Sequence, residues 1–174
     1  MLTATLSVAK PNVGRETRAV VEAFLKQQLG VNQAVNRIRY LGGEKYAAVD
    51  LVYAIERESV DDKRLRLLEF LAGLSPRTPE VEATFLRALR DGETPERIVA
   101  ATGLGRLRST AAVKPLISLL THAALGVRRE AGRALGLIGR PEASAALLKA
   151  LANLLWLACR AASAQRCSGV SRKV

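Results

Sequence analysis

Two stretches, "GLGRLRSTAAVKPLISLL" (Gly103–Leu120) and "ALGLIGRPEASAALLKAL" (Ala134–Leu151), decide how the rest of the chain is read. Laid one under the other, they put Leu104 on Leu135, Gly105 on Gly136, Leu107 on Ile138, Leu116 on Leu147, Ile117 on Leu148 and Leu120 on Leu151, always at the same interval. Agreement at such a period marks one supersecondary unit written more than once. Within each copy the apolar residues fall three and four apart, the spacing of one helix face. The unit is therefore a pair of helices. A pair this short cannot bury both of its apolar faces alone, so successive pairs must stack.

The pattern continues toward the N-terminus. Arg64, Arg97 and Arg128 hold equivalent places in three successive first helices, and Phe85–Leu86, Leu116–Ile117 and Leu147–Leu148 are equivalent in the second helices. The step from Arg64 to Arg97 is slightly longer than the step from Arg97 to Arg128, which places the extra positions in a loop. Earlier segments carry helical stripes of their own: Val20, Val21, Phe24 and Leu25 in "ETRAVVEAFLKQQLG", then Val31, Val35, Ile38 and Leu41 in "VNQAVNRIRYLGG". In "EKYAAVDLVYAIERES" the stripe is read as Tyr46, Val49, Val52, Tyr53 and Ile55. Thr78–Pro79–Glu80 and Thr94–Pro95–Glu96 read as helix starts: a hydroxyl cap, a proline at the first helical position and a carboxylate facing the positive dipole end. Ala100, Ala101, Ala131 and Gly132 predict close approach of helices, and Gly105 and Gly136 predict the same near helix ends. Asn-Gly or Asp-Gly hairpins and sustained period-2 alternation are missing, so no strand is expected.

Composition supports this reading. The 174 residues are 49% hydrophobic but include only one Trp, three Tyr and three Phe, so helix-forming aliphatics carry the core. The start shows no basic segment followed by an apolar stretch, and does not read as a secretory signal. No uninterrupted run of ~18 apolar residues is present for a membrane span. Cys159 and Cys167 lack the spacing of a metal site or a disulfide framework, so a reduced, cytoplasmic protein is expected. The net charge of +11 is unevenly placed. Met1–Glu96 holds 14 basic and 14 acidic residues, whereas from Arg97 onward 13 basic residues face two acids, Glu130 and Glu142. Such asymmetry implies an anionic partner or a solubilising face.

The stretch "VRREAGRALGLIGRPEASAALLKAL" resembles the HEAT-like repeats named after phycobilisome lyases. Their pattern is a valine–arginine pair, small residues, "ALG-x-[IL]-G", a short acidic or proline turn, and a second helix ending in "L-x-x-AL". Val127–Arg128, Ala134–Leu135–Gly136, Ile138–Gly139 and Leu148–Leu151 match it, and "ERIVAATGLGRLRSTAAVKPLISLL" follows it too, with Pro115 as the proline near the start of the second helix. The likeness covers Val60–Leu151 and extends more loosely over Val31–Ile55. Ala124 departs from it, standing where the pattern has an acid. At the C-terminus "WLACRAASAQRC" begins another first helix, with Arg160 on Arg129 and Ala162 on Ala131, before the pattern fails. The resemblance implies an all-α fold, a right-handed α-α superhelix (a HEAT-like solenoid) of about four to five helical pairs. Residues 1–14 would be an N-terminal extension, 15–158 the repeat solenoid, and 159–174 an incomplete last repeat with a basic, frayed tail.

Chemistry is scarce. The single histidine, His122, lies in "THAALG" with no triad-like company, and reads as a helix-end residue. Asp61–Asp62 and the Glu93–Glu96 run read as dipole-favourable caps, and the glycines do not form a strand–loop–helix phosphate cradle. No catalytic residue, metal or cofactor is therefore expected. The resemblance also takes in bilin lyases and brings HEAT-like DNA glycosylases into view. The latter need aromatic walls and a carboxylate in a basic groove, whereas from Arg97 onward the chain has one aromatic, Trp156, and no aspartate. Arg64, Arg97 and Arg128, which repeat with the scaffold, read as inter-repeat hydrogen bonds to helix ends or carboxylates. The second helices of such solenoids line the concave face. There Arg87, Ser118 and Lys149 stand one repeat interval apart, with Lys114 one turn before Ser118, a ladder suited to acidic side chains, a C-terminus or phosphates. The expectation is a non-enzymatic scaffold that binds another protein, through an acidic segment, at its concave surface. The alternatives are nucleic-acid binding by the basic half, or a bilin-lyase-like or DNA-glycosylase-like enzyme.

Overall fold

The periodicity resolves into eight helices in a computed structural model that describes residues 12–150: α1 (Val13–Leu25), α2 (Val31–Leu41), α3 (Glu44–Arg57), α4 (Asp61–Leu74), α5 (Pro79–Asp91), α6 (Thr94–Leu107), α7 (Val113–Leu119) and α8 (Leu125–Ile138). Residues 141–150 are helical as well, and among the described residues there is no strand. The fold is an all-α helical repeat of the solenoid class. The expected tail at 159–174, both cysteines and Trp156 lie outside the described residues. Two compact units divide the chain, Met1–Thr84 and Phe85–Val174.

First helices show the repeat in their backbone. Helices α2, α4, α6 and α8 end at Gly42 (φ 66°), Ser75 (φ 47°), Arg108 (φ 53°) and Gly139 (φ 69°), all left-handed. The first two intervals between these stops are equal, and the third is shorter by two positions. A left-handed residue lets the amide N–H groups turn back onto the last free carbonyls, which closes the helix. The repeat thus reaches back to Gly42, where the side-chain pattern is loose.

In the first unit α1 packs on α2 and α3, and α4 packs on both of those. Val20, Val21, Phe24, Val35, Ile38, Leu51, Leu68 and Phe70 are buried between them, and the Phe24 and Phe70 rings meet at 4.5 Å. Gly73 lets α4 press on α2: a Cβ there would lie 2.7 Å from Cγ2 of Val35. Arg39 Nη2 donates to the Gly73 carbonyl at 2.6 Å, tying the same pair of helices. One expectation fails in α3. Its buried face is Ala47, Ala48, Leu51 and Ile55, while Tyr46, Val49 and Tyr53 are 60%, 69% and 60% exposed. This helix carries two apolar stripes, and the one with alanines is inside because short side chains let α3 lie close to α1 and α4.

In the second unit α8 packs on α6 and α7. Phe85, Leu89, Leu104, Leu116, Val127 and Leu135 are buried. Gly103 makes room for a ring, since a Cβ there would lie 2.7 Å from the Phe85 ring. At Gly105 it would lie 2.9 Å from Cα of Ala134, so α6 and α8 touch backbone to backbone. Gly136, its register mate, has nothing within 4 Å among the described residues. The inward face of the last pair also departs from expectation: Leu147 is half-buried and Leu148 is 68% exposed. Leu86 and Ile117, which share its register, are only half-buried, so this position lies on the flank of each second helix and not in the core.

Helix starts follow the sequence with one change. Thr78 Oγ1 accepts from the Val81 N–H at 3.4 Å, and Pro115 falls in the first turn of α7, where its missing N–H leaves no bond unmade. For α6 the cap is Glu93 in place of Thr94, which is already helical. Glu96 is buried and folds back to accept from the Glu93 N–H at 3.3 Å, fixing the start one residue earlier.

Candidate functional site

The scaffold arginines come first because they fix the walls. Arg97 Nε donates to the Gly92 carbonyl at 2.7 Å and Nη2 donates to the Arg90 carbonyl at 3.1 Å. Arg128 Nη1 donates to the carbonyls of His122 and Ala123 at 2.7 and 2.8 Å. Gly92 and Ala123 stand at the same distance in sequence before their arginines, so the two contacts are the same contact in successive repeats. Each arginine satisfies carbonyls between one helix and the next, which is the structural role its spacing predicts.

The same register explains His122. In one repeat the cap N–H of Glu93 is taken by Glu96; at the equivalent place in the next, the cap N–H of Ala124 donates to Nδ1 of His122 at 3.1 Å. An imidazole from the preceding loop replaces the carboxylate, and it does so only with Nδ1 unprotonated. Of the two acids in the basic half, Glu130 is buried, with Oε1 2.9 Å from both Thr102 Oγ1 and Arg133 Nη1. It links α6 to α8.

A cleft of about 370 Å³ opens between the end of α5, the start of α6 and α7. Leu89 and Leu119 are its buried floor, Leu86 and Arg97 are half-buried in its walls, and Arg90, Ala111, Pro115 and Ser118 are exposed around it. None of these lining residues is acidic. The guanidinium of Arg97 is immobilised by its two carbonyls, so its charge is fixed in the wall. Ser118 Oγ donates to the Pro115 carbonyl at 2.7 Å, which leaves the hydroxyl oxygen as an acceptor.

Of the residues expected to bind a partner, Ser118 lines this cleft. Arg87 on α5, Lys114 on α7 and Lys149 in the helical residues 141–150 are exposed, and they are not part of its lining. Arg90, Leu86 and Pro115 are not singled out as binding residues by the sequence. A signal for Arg90 exists: it lies one turn beyond Arg87 on the same helix. Among the described residues no group of three His, Cys, Asp or Glu could hold a metal ion, and no helix is long and apolar enough to cross a membrane.

Residues 81–166 match the sequence profile of the family described as HEAT repeats. That part of the chain carries HEAT-like repeats, a class that commonly serves as a protein-interaction scaffold. No curated protein matches the chain.

Proposed function

We propose that this HEAT-repeat chain is a non-enzymatic scaffold whose second unit captures an acidic, apolar-anchored segment of another protein. The observation that carries the reading is the cleft between α5 and α7: a leucine floor, two arginines and no carboxylate among its lining residues. An apolar side chain entering it leaves water at about 25 cal/mol per Å², while carboxylates beside it meet Arg90 and the fixed Arg97. Preorganised walls reduce the ordering cost of binding. Arg87, Lys114, Ser118 and Lys149 extend the acceptor surface, with the exposed cations steering approach more than anchoring the partner. The valine–arginine pair at Val127–Arg128 and the Ile138–Gly139 turn favour the phycobilisome-lyase type of repeat within the class. A cytoplasmic setting without cofactor belongs to the same reading.

Affinity capture from a native lysate tests it, run with the full chain and with an Arg90→Glu variant, each with and without nuclease. The reading requires acidic proteins that bind the parent chain, ignore nuclease and are lost with the variant. Capture that disappears with nuclease, together with log-linear weakening of DNA binding by salt, would put nucleic acid in the partner's place. A coloured adduct on mixing the chain with a bilin and an acceptor protein would replace the scaffold by a lyase.

A further inference from the structure

Apart from that cleft, the first unit presents a surface of different chemistry. All three tyrosines of the chain are exposed: Tyr40 at 91%, Tyr46 and Tyr53 at 60%. Tyr46, Val49 and Tyr53 occupy positions i, i+3 and i+7 of α3, so they form one stripe, about 10 Å long from a rise of about 1.5 Å per residue. Contiguous exposed apolar groups on a folded domain usually mark contact sites. Tyrosine and arginine together are the side chains that interfaces favour.

The stripe is held in place. The Tyr46 ring lies over Gly14 of α1, its Cδ1 3.9 Å from where a Cβ would stand. Arg57 stacks on Tyr53 at 5.2 Å and donates to its hydroxyl at 2.6 Å. Between α1 and α3 runs a cleft of about 360 Å³ lined by Gly14, Arg15, Arg18, Tyr46, Val49 and Asp50. Arg18 and Asp50 pair at 3.5 Å across it, and Arg15 is an exposed cation with no acidic partner among the described residues. The surface is therefore a groove between two helices, with Tyr46 and Val49 on its α3 side beside the Arg18–Asp50 pair, and cationic on its α1 side.

We infer that this groove docks an acidic amphipathic helix of a partner protein. A helix laid in the groove repeats its own anchors at i, i+3 or i+4 and i+7, the spacing that α3 displays. Acidic positions flanking the helix's apolar face meet Arg15, and Arg57 at the far end of the stripe. This surface lies wholly in the first unit and does not depend on the cleft of the second.

The test is a randomised peptide display selection on the full chain, counter-selected on a Tyr46→Ser/Tyr53→Ser variant. Both tyrosines are exposed, so circular dichroism and the melting temperature of the variant should match the parent. Enriched peptides should have apolar residues at helical spacing with Asp or Glu beside them. Binding of a synthesised winner should weaken about tenfold or more in Tyr53→Ser. Arg15→Glu should weaken it several-fold, and a peptide with its acids changed to Lys should recover the loss. Enrichment of proline-rich or basic peptides, or enrichment that the serine variant retains, overturns the proposal. So does a dimer in analytical ultracentrifugation that the serine variant abolishes, because a second copy would then be the occupant.

Discussion

Gly105 and Gly136 occupy the same place in successive first helices, yet alanine should stabilise the chain only at Gly136. Replacing a glycine inside a helix by alanine is worth about 0.5–1 kcal/mol, because the unfolded chain loses freedom and the helix loses none. At Gly136 nothing stands within 4 Å among the described residues, so Gly136→Ala should keep that gain in full. At Gly105 the new Cβ would come 2.9 Å from Cα of Ala134 and 3.0 Å from its Cβ. Backbone cannot rotate out of the way, so α6 and α8 must separate. Overpacking of this kind costs about 1–3 kcal/mol. Gly105→Ala should then be neutral to destabilising by about 2 kcal/mol, and the two variants should differ by about 1–3 kcal/mol. Urea unfolding followed by circular dichroism gives the comparison, and amide exchange in α6 and α8 localises it. If Gly105→Ala proves as stabilising as Gly136→Ala, the two helices do not meet as described and the packing of the second unit is wrong.

Other outcomes follow from the caps and the scaffold arginines. Arg108 holds a left-handed conformation that Gly139 adopts at the equivalent position, so Arg108→Gly should raise stability by about 1 kcal/mol, read from thermal unfolding. Gly139→Ala should lower it by a similar amount. Arg128→Ala removes the one nitrogen, Nη1, that donates to both carbonyls; about 1–2 kcal/mol should be lost, seen as faster amide exchange at the start of α8. Unchanged exchange there would remove the capping role. His122→Ala should expose the Ala124 N–H to exchange, and His122→Asn should restore part of its protection, since a short amide two residues upstream can accept the same proton.

The repeat is readable in the sequence because stacking imposes the same demand on every copy. Leu104, Leu116 and Leu135 are buried where the repeat interval puts them. Burial in α3 is not readable in this way. Tyr46 and Ala47 begin adjacent stripes, and a hydropathy pattern prefers the larger residues, whereas close helix approach selects the smaller. The cleft of the second unit escapes for a geometric reason. Register arithmetic collects like positions along successive second helices, such as Arg87, Ser118 and Lys149. A cleft forms between neighbouring elements and gathers unlike positions, here Leu86, Arg97 and Pro115, which no single spacing brings together. The four left-handed stops are hidden by chemistry: glycine announces such a conformation at Gly42 and Gly139, but serine and arginine do not at Ser75 and Arg108.

Those matching stops bear on how a chain like this changes length. Excising residues 43–75 would join Gly42 directly to Pro76, offering the proline a predecessor with the backbone turn that Ser75 now supplies. Insertion of a further copy at the same seam would be equally smooth. The extent of surface on offer is thus adjusted in whole-module increments, while edits of one or two residues are confined to the connecting loops.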